Sequence, residues 1–161
     1  GKPAPAIPDV PALKANGASF VTLTQDDELR GCIGSLRPQR PLGEDILRNA
    51  VAAASEDPRF PPLSADALAR IRVEVSVLSE AEFLDFSDEA DLLRQLVPGE
   101  HGLILFSGCR GTTFLPQVWE QLPEPADFLA ALKRKAGLPP DRPAPNAMAA
   151  RYTVTKWSED A

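Results

Sequence analysis

Histidine and cysteine are scarce in this chain: one imidazole, His101, and two thiols, Cys32 and Cys109, in 161 residues. So few ligands, set far apart, make no recognisable zinc spacing, and no metal site is expected. Two cysteines are also too few for a disulfide framework, which makes a reducing cytoplasm the expected compartment. The cysteine triplet that an iron–sulfur cluster needs is missing. No glycine-rich loop opens a helix to cradle a phosphate, so no cofactor is expected. Apolar runs stop well short of membrane-spanning length, and the start has no basic region followed by an apolar stretch. Neither a membrane span nor a signal peptide is therefore expected. Positive charge is short too, and a net charge of −6 works against non-specific nucleic-acid binding.

What remains is ordinary for a soluble globule, and the length suits one domain with a real core. Residues 1–16 carry Pro3, Pro5, Pro8 and Pro11 and few large apolar groups, the pattern of an extended Pro-rich arm. Residues 17–161 read as the domain proper. Gly17 to Thr24 alternates, with Val21 and Leu23 opposite Phe20, Thr22 and Thr24, and the run to Gly34 pairs back as a hairpin. A helix is predicted from Pro41 to Glu56, with Leu42, Ile46, Ala50, Ala53 and Ala54 along one stripe and Asp57-Pro58 as its stop. A short helix over Leu63–Arg70, with Ser64 as its cap, leads to an alternating strand, Ile71–Ser79. Beyond it the pattern predicts a helix at Glu89–Leu96 and a hairpin around Cys109. Another helix follows at Ala126–Ala136, stopped by Gly137, and one last strand at Ala150–Trp157. Lys133-Arg134-Lys135 reads as a solvated basic run at a helix C-terminus. Interspersed helices and hairpins give an α+β class: a mixed, largely antiparallel sheet with packed helices. The domain would be compact, with room for a split into a large and a small subdomain.

Chemistry points to Leu29-Arg30-Gly31-Cys32-Ile33-Gly34-Ser35-Leu36. In a strand, Arg30, Cys32 and Gly34 share a side, and a cation beside a thiol favours the thiolate. Gly31 and Gly34 leave room for a backbone or a small ligand to approach. The competing reading is packing, since cysteine is a residue type of the interior. His101 is the one side chain available for histidine-mediated proton transfer, and Glu74 is a carboxylate in an otherwise apolar strand. Cys32, His101 and Glu74 are the parts of a nucleophile, its base and its orienter. Cys109, at a loop tip beside Arg110, reads as an adventitious thiol.

The octet resembles the signature of the AMMECR domain family. Further matching blocks follow in order: Gly17–Leu23, Asp57-Pro58-Arg59-Phe60, Val73–Ser79, His101–Leu105, Phe114–Trp119 and Lys135–Pro139. The resemblance implies a small pocket around Cys32, with Arg30, Gly31, Gly34 and Gln117 at its wall. It also implies membership of an AmmeMemoRadiSam-like system, in which a Memo-like protein and a radical S-adenosylmethionine enzyme are partners. Two functions stay open on these grounds. One is a thiol or acid–base enzyme acting on a small substrate. The other is a non-catalytic adaptor or ligand-binding module for one of those partners.

Overall fold

A computed structural model describes residues 5–108 and 110–159, so the reading of Cys109 lies outside the described residues. The chain divides into two units of similar length. One runs up to Leu78 and resumes from Thr155; the other is the continuous stretch Ser79–Val154.

In the first unit a helical turn, α1 (Pro11–Lys14), lies within the segment expected to be wholly extended. Two short strands follow as a pair, β1 (Asn16–Gly17) with β4 (Arg40–Pro41). The main sheet runs β10 (Val154–Ser158), β5 (Ile71–Leu78), β2 (Ser19–Gln25) and β3 (Glu28–Gly34), with β2 antiparallel to both neighbours. Asp26 and Asp27, both at positive φ, turn the β2–β3 hairpin, the backbone that a two-residue loop of the primed type needs. Helix α2 (Leu42–Ser55) packs on one face. Its Ile46, Ala50, Ala53 and Ala54 meet Val21, Leu23, Ile33, Val73 and Val75, the inward residues of the alternating strands. The stretch 63–70 forms a 3₁₀ turn, Ala65–Arg70, and Ser64 makes no side-chain cap.

The second unit has its own sheet, ordered β6 (Glu82–Phe83), β9 (Ala147–Tyr152), β7 (Gly102–Ser107) and β8 (Arg110–Phe114). Its pairings are antiparallel. Two helices, α3 (Glu89–Arg94) and α4 (Pro125–Lys135), and a 3₁₀ turn (Pro116–Glu120) supply the rest of the unit. Leu103, Leu105, Ala149, Trp119, Phe128 and Leu132 form the core, with the Trp119 and Phe128 rings stacked at 3.7 Å. Gly137, at φ 77°, ends α4 by donating to Arg134 O, as a left-handed C-terminal stop should.

Two further expectations change. The single last strand is two strands, β9 and β10, in different sheets. The break falls at Thr153, whose main-chain N–H donates to Ser79 Oγ and whose carbonyl accepts from Ser79 N. Lys133 is not solvated. It is 2% exposed, and its ammonium donates to both Glu89 oxygens and to Arg142 O at 2.5 Å. A buried cation needs such partners, and the loop after α4 folds back to provide one.

Candidate functional site

The β2–β3 register puts Cys32 opposite Thr22, and the β2–β5 register puts Thr22 opposite Glu74. Because these residues share one face across three strands, they form a polar row on the side of the sheet away from α2. The thiol, a free cysteine, lies 3.3 Å from Thr22 Oγ1. At the far end Glu74 Oε2 accepts from Ser158 Oγ at 3.0 Å. All three side chains of the row are half-buried.

Strand β3 is an edge, and its outer side is finished by the loop after α2. Cys32 N donates to Asp57 Oδ2 at 3.0 Å, and Arg59 Nη2 makes a long 3.5 Å contact with Cys32 O. Arg59 also donates to Asp57 through Nε, Nη2 and its own main-chain N–H. Its guanidinium, against the opposing effect of burial and with help from the two backbone N–H groups, holds the Asp57 carboxyl well below the usual carboxylate range. The same pairing raises Arg59, with a further contribution from the nearby Cys32 thiol. An aspartate–arginine pair thus takes the place of a neighbouring strand at the one residue that carries the thiol. By sequence the Asp-Pro-Arg-Phe block is a helix stop and an aromatic plug, with Arg59 as a candidate anion contact. Its carboxylate is in fact the closest partner of the Cys32 main chain among the described residues.

Arg30 does not lie where simple alternation puts it. Leu23 pairs with Gly31 and Thr24 with Leu29, so Arg30 is the extra residue of a β-bulge. Re-aimed by the bulge, its Nη2 donates to Pro61 O at 2.8 Å and its guanidinium lies over the Phe60 ring. The room left by the glycines is used by the protein itself. A Cβ on Gly31 would fall 2.1 Å from Ala53 O of α2, and one on Gly34 would fall 2.1 Å from Phe20 Cγ.

His101 and Gln117 belong to the second unit. His101 Nδ1 accepts from Val97 N at 2.9 Å, and its carbonyl accepts from Trp119 Nε1 at 2.7 Å. With Nδ1 so engaged, the neutral ring carries its proton on Nε2, and the side chain pins its own turn. Gln117 is exposed on the 3₁₀ turn 116–120. The structure therefore sets Cys32 and Glu74 on one face with Thr22 between them, and places His101 and Gln117 on the second unit.

A second buried cluster lies beneath the β2–β3 pair. Asp45 Oδ2 accepts from Ser19 N, Ser19 Oγ and Asn49 Nδ2, and Oδ1 accepts from Ser35 Oγ. These bonds tie α2 to the start of β2 and the end of β3, and so help to hold the octet in register. Among the described residues no group of three histidines, cysteines or carboxylates is arranged to hold a metal ion. No helix among them is long and apolar enough to cross a membrane.

The chain is similar to a protein of Methanopyrus kandleri, at 38% identity over 149 residues that cover 88% of this chain and 70% of that one. A protein of Methanothermobacter thermautotrophicus is 41% identical over 136 residues, covering 84% and 70%. The crystal structure of an uncharacterised protein from Pyrococcus horikoshii has the same fold, with a TM-score of 0.87 at 32% identity. It covers 96% of this chain and 80% of its own. The AMMECR1 family model matches residues 1–157, and this chain belongs to the AMMECR1 family.

Proposed function

We propose that the first unit performs thiol chemistry on a small electrophilic molecule, with Cys32 as the nucleophile. The observation that carries this reading is the way Cys32 is held. Its N–H is anchored by a buried carboxylate, and its half-buried thiol lies on the face away from α2 at hydrogen-bond distance from a hydroxyl. Fixing a reacting atom in this way removes orientational freedom before the substrate arrives. The Thr22 hydroxyl meets the thiol, and Glu74, the next residue of that row, is assigned to take up the proton as sulfur attacks. His101 needs no part in this step. The resemblance to AmmeMemoRadiSam proteins supports a setting in which a Memo-like protein and a radical S-adenosylmethionine enzyme work on the same substrate.

The test is the alkylation rate of Cys32 by iodoacetamide, measured by mass spectrometry in a Cys109→Ser chain. At pH 7 it should exceed that of N-acetylcysteinamide by roughly tenfold or more. Glu74→Gln should slow it at pH 7 but not at about pH 10, where a free thiol ionises without help. A rate no faster than the model thiol would end the nucleophile reading.

One observation favours the adaptor reading instead. On the second unit's sheet Phe83 and Met148 are 60% and 57% exposed, and the Phe83 ring stacks on Phe106. Solvent-facing apolar groups gathered on one face mark an interaction surface. An adaptor would keep its partner affinity in Cys32→Ser and lose it in Phe83→Ser.

A further inference from the structure

At the outer edge of β3, two guanidiniums share one aromatic ring. Arg30 Cζ lies 5.7 Å and Arg59 Cζ 5.5 Å from the Phe60 centroid. Each is fixed by a second partner: Arg30 Nη2 by Pro61 O, and Arg59 Nε and Nη2 by the Asp57 carboxylate. A solvated surface arginine has no need of such anchoring. Here two cations are held still while the Arg59 side chain stays 55% exposed. Their remaining N–H edges, Nη1 of Arg59 and Nε and Nη1 of Arg30, meet no acceptor among the described residues. A guanidinium stacked on a ring keeps its donors at the edge, in the planar fork that suits an oxyanion. Asp57 offsets one of the two charges, and its oxygens already accept four N–H groups. Arg30, Arg59 and Asp57 together thus carry one net positive charge, while Asp26 and Glu28 line the depression on the other side of Arg30.

We infer that Arg30 and Arg59, braced by Phe60, form the anion-recognition element of the Cys32 site, so that its ligand carries a carboxylate or a phosphate. This rests on the thiol reading for the reaction, but not for the binding. The ligand's oxyanion docks at the guanidinium edges, and the part of it that reacts lies toward the thiol. Arg59 has both tasks, steadying the Cys32 main chain with one edge and meeting the ligand with the other.

Two probes that differ in charge test it on the same atom. Iodoacetate and iodoacetamide both form a sulfur–carbon bond at Cys32 as the carbon–iodine bond breaks, iodide leaving and the thiol proton passing to buffer. The ratio of their rates, divided by the same ratio for N-acetylcysteinamide, removes the intrinsic reactivity of the thiol. In the Cys109→Ser chain at low salt this normalised ratio should be roughly five- to tenfold above one and fall as salt is added. Inorganic phosphate should protect against iodoacetate and sodium acetate should do the same, the stronger protector identifying which oxyanion is preferred. Arg30→Gln should bring the ratio toward one, with circular dichroism confirming a native fold, and Arg30→Lys should restore part of it. A normalised ratio of one in the parent chain overturns the inference, whatever the absolute rates. Slow iodoacetamide alkylation with a raised ratio would instead sustain anion recognition and end the nucleophile reading. Both failing together would remove both.

Discussion

The Asp57 carboxylate accepts from Cys32 N, from Arg59 N and from two nitrogens of the Arg59 guanidinium, while almost none of it meets solvent. Its folded-state proton affinity is depressed, so the stability it contributes is complete above the unfolded value of about 3.9 and is lost as pH falls through the folded one. Asp57→Asn should cost about 2 kcal/mol at pH 7, the scale of charge-assisted bonds to a buried group. Urea unfolding at a series of pH values should show the gap between parent and variant narrowing below about pH 4. A gap of the same size at pH 3 and pH 7 would assign the loss to shape and not to charge. Lys133 teaches a related lesson at this scale. A basic run at a helix end reads as solvated, and nothing local says that a loop nine residues on will lend it a carbonyl.

At the scale of elements, close approach governs the site. Gly31 lets β3 lie against the α2 backbone at Ala53, and this contact sets the depth at which the neighbouring Cys32 sits. Gly31→Ala must push strand and helix apart, and should cost about 1–3 kcal/mol, measured as a lowered midpoint in chemical denaturation at unchanged m-value. An unchanged midpoint would mean that α2 gives way freely. Alternation made β2 and β5 legible because one face of each packs on α2 and the other does not. The same logic misplaced Arg30, since a bulge is invisible to a period of two. Asp45 and Asn49, one helical turn apart, lie off the apolar stripe of α2; they are buried because Ser19 and Ser35, distant in sequence, come to meet them. Within the Cys32 site, the thiol and Glu74 were readable from residue type. Thr22 and Asp57 were not, because only strand register and an edge vacancy give them their parts. Strand β6, two residues long, and the break at Thr153 carry no glycine or proline to announce them.

The whole molecule holds two cores with unlike claims on the chain. Residues 79–154 are one continuous stretch with their own sheet and apolar centre. Expressed alone, that stretch should give a dispersed amide spectrum and a cooperative thermal transition. Residues 1–78 alone should not, because β5 would lack β10 and the bonds of Val73 with Glu159. Adding a peptide of residues 154–159 should restore order to that piece; if 1–78 is fully ordered without it, the fourth strand is dispensable. No linker composition betrayed this division, since the chain crosses once through the short link 79–81 and once within β10, and neither crossing is rich in glycine.

That arrangement also bears on how the protein is made. Translation delivers β2, β3, α2 and β5 ahead of the second unit, yet the strand that completes their sheet comes after that unit. The unit encoded in the middle needs no residue from beyond its own end and is thus the first to have all its parts. The thiol-bearing sheet must wait, with one flank open, until the whole of the second unit has been made.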